Sequence, residues 1–315
     1  MDAPILFVDF SADTSVRITL AAPRRRPPPA QLYHCTSLAQ LDQTLEQFLD
    51  SVEKPRLMAA AFSVCGWERD GAFEMPDHSY RIEREWVKQR LNVTRLNVVN
   101  DCVATALAIE RLEDSERTII CPGQDEPMQM KAMIAVGRSL GTTCILSDDV
   151  GSPLAVPCAG GHMDLPATHA REFKVIELMA KKYGHVSRVR AVSTAGLAEI
   201  HACLQTIDGA PAEALNARQV VDLARAGNPH AREAVDMAVG WLAATAADTA
   251  LATGARGGIF LAGSFFDLLG DTFDRDLFTR RFCDKGRLSN YLRDISVSLV
   301  EMREPEMVGL STLFG

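Results

Sequence analysis

Leu96-Asn97-Val98-Val99-Asn100-Asp101, followed by the alanine-rich residues 103–112, decides the fold. The first part reads as a strand, the second as a helix leaving its carboxyl end, with a polar pair at the junction. Working back toward the N-terminus, residues 57–64 form a continuous apolar run with small side chains, as a fully buried parallel strand requires. A helix over 82–91 separates the two strands. A second helix starts at Ser37 as N-cap, with Gln40 three residues on as a capping box. Leu38, Leu41, Leu45, Phe48, Leu49 and Val52 keep helical period on one face. At the start of the chain, residues 5–9 and 15–20 are two strands joined by a tight polar turn. A short strand follows over 32–35, after the solvated loop Arg24-Arg-Arg-Pro-Pro-Pro29.

Working forward, the element order repeats although the residues do not. Residues 133–136 and 142–146 make another hairpin around a glycine-containing turn. Helices are expected over 168–183, 194–207, 217–226 and 229–253. A strand over 257–262, a further helical region, a strand over 295–300 and a short final helix complete the chain. Alternating strands and helices imply an α/β protein, helices covering a largely parallel sheet, built twice with a central cleft.

Composition agrees. The chain has 315 residues, 47% hydrophobic and 23% charged, enough for two domains. Its net charge of −8 is opposite to the balance of a nucleic-acid binder. No apolar run approaches the roughly 18–20 residues of a membrane helix, and Met1-Asp2-Ala3-Pro4 has no basic region or cleavage site of a signal peptide. None of the eight cysteines falls in a CxxC or CxxH spacing. They read as single, small, buried thiols of a reducing cytoplasm, neither a disulfide frame nor a zinc site.

Four strand ends carry polar or glycine residues: Asp9, Asn100-Asp101, Gly137-Arg138-Ser139-Leu140-Gly141 and Ala262-Gly263-Ser264. In open α/β sheets such ends face the ligand. Asp101 suits a general base taking a proton from a substrate hydroxyl; a plain helix N-cap explains it as well. Backbone N–H groups of residues 137–141 suit phosphate oxygens, and an ordinary hairpin turn accounts for both glycines equally. Residues 257–264 suit the face of a nucleotide base, or tight strand packing. His162, after two glycines, is placed to reach a polar ligand or serves the structure alone. No other histidine shows metal-ligand spacing.

Several blocks together resemble the bacterial glucokinase family, within the hexokinase, actin and Hsp70-type ATPases. They are Asn100-Asp101 with its helix, Gly160-Gly-His-Met-Asp164, Tyr183-Gly-His-Val-Ser187 with Ser193-Thr-Ala-Gly-Leu197, residues 257–263, Phe282-Cys-Asp-Lys-Gly-Arg287 and Glu304-Pro305 through Gly309. The resemblance is collinear and nearly end to end. It implies the two-domain actin-like ATPase (ribonuclease H-like) fold, βββαβαβα repeated. The small domain would span residues 1–112, completed by the C-terminal helix 303–315, and the large domain 113–302.

By the same resemblance, two closing domains transfer the γ-phosphoryl of Mg-ATP to the 6-hydroxyl of glucose, in a cytoplasmic homodimer whose partner molecule is a sugar. Asp101 would be the general base, with Asn100 and His162 on sugar hydroxyls. The first hairpin, with Asp9, Ser11 and Thr14, would cradle phosphate and the water shell of Mg²⁺. Gly137, Ser139 and Gly141 would form the second phosphate loop, and Gly263 and Ser264 would lie by adenosine. This chain departs from the pattern in four regions. The family's Asp-x-Gly-Gly-Thr reads Asp9-Phe-Ser11-Ala12-Asp13-Thr14, without glycines and one residue longer; Ser139 and Ser264 replace glycines. Ala159 and Lys182 align with sugar-binding glutamates, and Asp77-His78 with an Asn-His pair. Two lost charged hydrogen bonds would weaken glucose binding by roughly 3–6 kcal/mol. Two other readings stay open: a catalytically silent relative that binds a ligand or partner, and a kinase for anionic sugars, drawn from Lys182 and Arg138.

Overall fold

A computed structural model describes residues 3–12, 14–75, 80–124, 126–147 and 153–314. The chain divides into two compact units, one from the N-terminal region to Glu113 together with the residues from Met302 on, the other from Asp114 to Glu301.

In the first unit β1 (Ile5–Ala12) is the centre of a five-stranded sheet. It pairs antiparallel with β2 (Ser15–Ala21), Asp9 opposite Arg17, and the register breaks between Asp9 and Ala12. Between those two pairs β1 carries one residue more than β2, which is a β-bulge. β3 (Gln31–His34) extends the sheet beyond β2, and α1 (Leu38–Ser51) follows with Ser37 accepting from the Gln40 N–H as expected, whereas the Gln40 side chain takes the Thr36 N–H and hydroxyl, one residue before the capping-box position. β4 (Ala59–Val64), buried at every residue, lies parallel to β1. Next come β5 (Trp67–Arg69), β6 (Ala72–Glu74) and β7 (Ile82–Glu83), a small separate sheet, then α2 (Arg84–Leu91). The helix expected from residue 82 starts two residues later because Ile82 and Glu83 pair with β6. β8 (Arg95–Asn100) closes the sheet parallel to β4, and α3 (Asp101–Leu107) continues as a tighter turn over Ala108–Arg111.

The second unit holds β9 (Arg117–Cys121), β10 (Lys131–Val136), β11 (Leu140–Ser147) and β12 (Pro153–Cys158). Helices α4 (Ala170–Tyr183), α5 (Arg188–Ala191), α6 (Thr194–Ile207), α7 (Ala217–Arg225) and α8 (Pro229–Thr253) follow. Then come β13 (Ile259–Ala262), α9 (Ser264–Leu269), α10 (Arg275–Cys283), α11 (Ser289–Arg293) and β14 (Val297–Val300). Its sheet order, β12-β11-β10-β13-β14, repeats β3-β2-β1-β4-β8, with β9 added antiparallel at the edge. The long α8 is central, its Trp241 fully buried and donating to the Pro166 carbonyl at 2.8 Å.

The last helix, α12 (Pro305–Thr312), belongs to the first unit and packs on α3. A Cβ on Gly309 would stand 1.7 Å from the Ala104 carbonyl oxygen, so only glycine permits this approach. Strand alternation gives β1 two faces. Leu6, Val8 and Phe10 enter one core; Ile5 and Phe7 enter another with Met307, Leu310 and Phe314 of the C-terminal segment.

One expectation needs correction. The cysteines are not all single and buried: Cys158 is exposed on β12, and its sulfur lies 3.7 Å from that of Cys144. The loop 24–29 is largely exposed, as expected, and is fastened at its end, where Pro28 accepts from Thr19 and Ala30 donates to Glu304. Among the described residues no helix is long and apolar enough to cross a membrane.

Candidate active site

Register aligns the carboxyl ends of the parallel strands in the first unit. Asp9 stands opposite Ser63, which stands opposite Val99; one step on, Phe10, Val64 and Asn100 line up. As an odd-numbered residue of β1, Asp9 shares the face of Ile5 and Phe7, which α3 and α12 cover. It is 1% exposed, and Arg17 Nη1 lies 3.3 Å from its Oδ2.

The same Arg17 nitrogen is 3.6 Å from Oε2 of Glu306, in the first turn of α12. Glu306 Oε1 accepts from the Thr105 hydroxyl at 3.4 Å, whereas the buried Oε2 has no hydrogen bond. Burial first, and then the charge of Asp9, pushes the Glu306 carboxyl up to about 7 against the pull of Arg17. No spacing in the chain singles Glu306 out, for it reads as an ordinary acidic residue after a helix-starting proline.

At the junction of β8 and α3 the N-cap is Asn100. Its Oδ1 accepts from the Cys102 N–H at 2.9 Å, and its Nδ2 donates to the Gly66 carbonyl at 3.2 Å. Asp101 is the first helical residue, its Oδ1 sharing the Cys102 N–H. Burial raises the Asp101 carboxyl above its ordinary range and Asp9 adds to the rise; the backbone N–H of Cys102 and the thiols of Cys102 and Cys65 pull it back in part. A partly desolvated carboxylate whose part in the cap is one N–H that its neighbour also holds is suited to accept a proton.

In the second unit Gly137–Ser139 form the turn between β10 and β11, with Gly137 N–H donating to the Ser139 carbonyl at 2.9 Å. Ser139 is exposed, and Gly141 lies in β11 opposite Ala135. Gly263 has φ +107°, and a Cβ there would stand 2.3 Å from the Val136 carbonyl oxygen. Ser264 opens α9, with its hydroxyl oxygen 3.1 Å from where a Gly137 Cβ would stand. Gly137, Gly263 and Ser264 are therefore neighbours, and close packing against β10 alone accounts for the glycine at 263.

His162 ends a tight turn, Gly160–His162, and is exposed, as is Ala159 before it. Gly160 N–H donates to the Thr142 hydroxyl at 3.0 Å, and a Cβ on Gly161 would be 2.2 Å from the Leu140 carbonyl, so the turn lies directly on β11. Just beyond it, the Met163 carbonyl accepts from the Arg188 N–H at 3.0 Å. Arg188 is buried and ion-paired at 2.8 Å with Asp248, whose other oxygen takes Lys285 at 2.5 Å. This fastening of the His162 segment was not apparent from spacing; its parts are some 60 and 37 residues apart.

Lys182, near the end of α4, is turned toward α6. Its ammonium is exposed, bonded to Glu199 at 2.7 Å and set over the Tyr183 ring. Glu199 thus shares one of the two charges behind the anionic-sugar reading. The Thr14 carbonyl accepts from the Cys35 N–H. Asp13, Asp77 and His78, and the side chain of Ser11, lie outside the described residues. Among the described residues no group of three or more His, Cys, Asp and Glu could hold a metal ion by itself. Magnesium that arrives with its own waters and phosphate oxygens asks for one or two carboxylates, which suits Asp9.

Comparisons with known proteins agree across the chain. The family model described as Glucokinase matches residues 12–315. The Glucokinase of Aromatoleum aromaticum is 32% identical over 98% of this chain and 94% of its own length. The Glucokinase-like protein of Caulobacter vibrioides is 31% identical over 94% of this chain and 92% of its own. A crystal structure of glucokinase from an Antarctic psychrotroph superimposes with a TM-score of 0.89 at 24% identity, covering 100% of this chain and 99% of that one. With its duplicated βββαβαβα sheets, this actin-like ATPase-fold chain belongs to the glucokinase family.

Proposed function

We propose that the protein is an ATP-dependent hexose kinase acting on the 6-hydroxyl of glucose or a close relative, with Asp101 as general base. The observation that carries this reading is the division of labour at the start of α3. Asn100 fills the N-cap position, and Asp101 stands after it as a desolvated carboxylate that only shares the Cys102 N–H already capped. Its raised pKa brings its basicity nearer to working pH and makes it a better proton acceptor.

In this mechanism Asp101 takes the hydroxyl proton as the hydroxyl oxygen attacks the γ-phosphorus. Asn100 and His162 orient sugar hydroxyls. Backbone N–H groups and the Ser139 hydroxyl, within residues 137–141, hold phosphate oxygens, and Gly263 and Ser264 lie by adenosine. Asp9 would hold the water shell of magnesium, which when bound neutralises phosphate charge; Arg17 keeps the Asp9 carboxylate in place. The protein works in the cytoplasm as a homodimer under the same reading.

A second reading, a catalytically silent sugar-binding relative, is favoured by one specific observation. Glu306 adds a carboxylate beside Asp9 and Asp101, next to a first hairpin that lacks the family's glycines. Like charges there oppose an anionic phosphate, and phosphoryl transfer rests on positioning and electrostatics.

ATP consumption by the purified protein with magnesium separates the two, measured against glucose, other hexoses, amino sugars, sugar acids and sugar phosphates. Turnover with a neutral hexose supports the kinase. No turnover above background across the panel, with sugar binding retained, supports the silent relative.

A further inference from the structure

The exposed thiol at the end of β12 has a partner. Cys144 on β11 and Cys158 on β12 are diagonal neighbours in the ladder, with Thr142 opposite Cys158 and Cys144 opposite Val156. Diagonal side chains ordinarily stand too far apart to bond, yet these two sulfurs are 3.7 Å apart. A disulfide needs about 2.05 Å, a gap that side-chain rotation and a small strand shift can close. β12 is the sheet's edge strand, paired on one side only, and its Pro153 and Pro157 donate no ladder hydrogen bond, which eases such a shift.

We propose that Cys144 and Cys158 are a reversible dithiol–disulfide site. The two thiols have different surroundings, as the chemistry requires. Cys158 is exposed and meets an oxidant first; Cys144 is buried, and burial with the neighbouring Cys158 pushes its thiol up to about 11. With hydrogen peroxide as oxidant, the Cys158 thiolate attacks one peroxide oxygen and the O–O bond breaks. The leaving hydroxide takes up the thiol proton as water, and Cys158 becomes a sulfenic acid. Cys144 sulfur then attacks the Cys158 sulfur; the S–O bond breaks and the hydroxyl leaves with the Cys144 proton as a second water. Two thiols and one peroxide thus give one disulfide and two waters, the pair supplying both electrons. A dithiol reductant reverses it.

The site adjoins the turn that carries His162. Thr142 ties the two together, its hydroxyl donating to the Cys158 carbonyl at 3.1 Å and accepting from the Gly160 N–H at 3.0 Å. Drawing Cys158 toward Cys144 moves residues 159–162 with it. That consequence rests on the reading of His162 as a sugar contact, whereas bond formation does not.

The test treats the full-length reduced protein with a small excess of hydrogen peroxide, then blocks free thiols and maps peptides. Cleavage at Asp148 and Asp149 separates the two cysteines. The expected result is loss of two of the eight thiols per chain, an intrachain 144–158 link, and full recovery with dithiothreitol. In Cys144→Ser, a sulfenic acid at Cys158 is trapped by dimedone and no link forms. Two free thiols in the mapped peptides, or Cys158 oxidised without bonding to Cys144, would overturn the proposal. In the kinase assay, oxidation is expected to raise the sugar KM about threefold or more, since misplacement by ~1 Å can cost up to about 10²-fold, with no change in Cys144→Ser. A link with unchanged KM leaves the disulfide standing and removes its effect on the turn. A link in a protein without any turnover sinks the kinase reading and leaves the thiol site intact.

Discussion

Glu306 is a carboxyl that costs stability when it ionises. In the unfolded chain it titrates near 4.5; folded, it is pushed up to about 7. Below the lower value both states hold the proton and the residue is neutral in the balance. Between the two values the unfolded chain gives up this proton while the folded chain keeps it, so stability falls as pH rises from about 4.5 to about 7 and levels off above, where the folded state carries a buried charge. Glu306→Gln removes that loss, so it should match the parent near pH 4 and exceed it at pH 8 by up to roughly 3 kcal/mol. Urea unfolding across that pH range measures the difference; a constant difference would show that the group titrates normally. The residues named from the chain and those missed differ in range of contact. Asn100 and Asp101 are adjacent, so a strand ending in a polar pair is enough to find them. Glu306 meets Asp9 and Arg17 through sheet register and helix packing, across nearly the whole chain, and no local pattern carries that. Lys182 has the same kind of distant partner: on its side of α4 it pairs with Glu199 of α6, which no local pattern announces.

At the scale of elements, period and caps make the long segments legible. The bounds of α6 and α8 agree with their expected ranges, because Ser193 and Asn228 cap them and their apolar residues persist. β12 has no such signature. Two prolines and alternate exposure mark it as an edge strand only once β11 is there to pair with. β5, β6 and β7 are two or three residues each, too short for any period. The contact between α12 and α3 is the element-level feature with the sharpest consequence. Gly309→Ala places a methyl 1.7 Å from the Ala104 carbonyl oxygen, so α12 must move away and the Ile5–Phe7–Phe314 core opens. A loss of about 1–3 kcal/mol is expected in thermal or urea unfolding. Unchanged stability would mean that the last helix is not seated on α3.

The whole chain repeats one βββαβαβα plan, with the final helix of the second repeat returned to the first unit. Duplication was legible because the order of elements repeats; the added edge strand β9 was not, since it pairs with β14 far along the chain. What the plan delivers is a set of strand ends bearing Asp9, Asp101 and the turn at residues 137–139, each fixed by backbone register and close glycine packing. Asp101 acting as the base of a kinase is the central assignment. The direct measurement is kcat for sugar phosphorylation beside sugar Kd by calorimetry, in the parent and in Asp101→Asn. A general base contributes about 10²–10⁴ in rate, so kcat should fall by that factor while Kd stays within about threefold. A variant with undiminished kcat, or one whose activity is lost only because sugar binding is lost, would contradict the assignment.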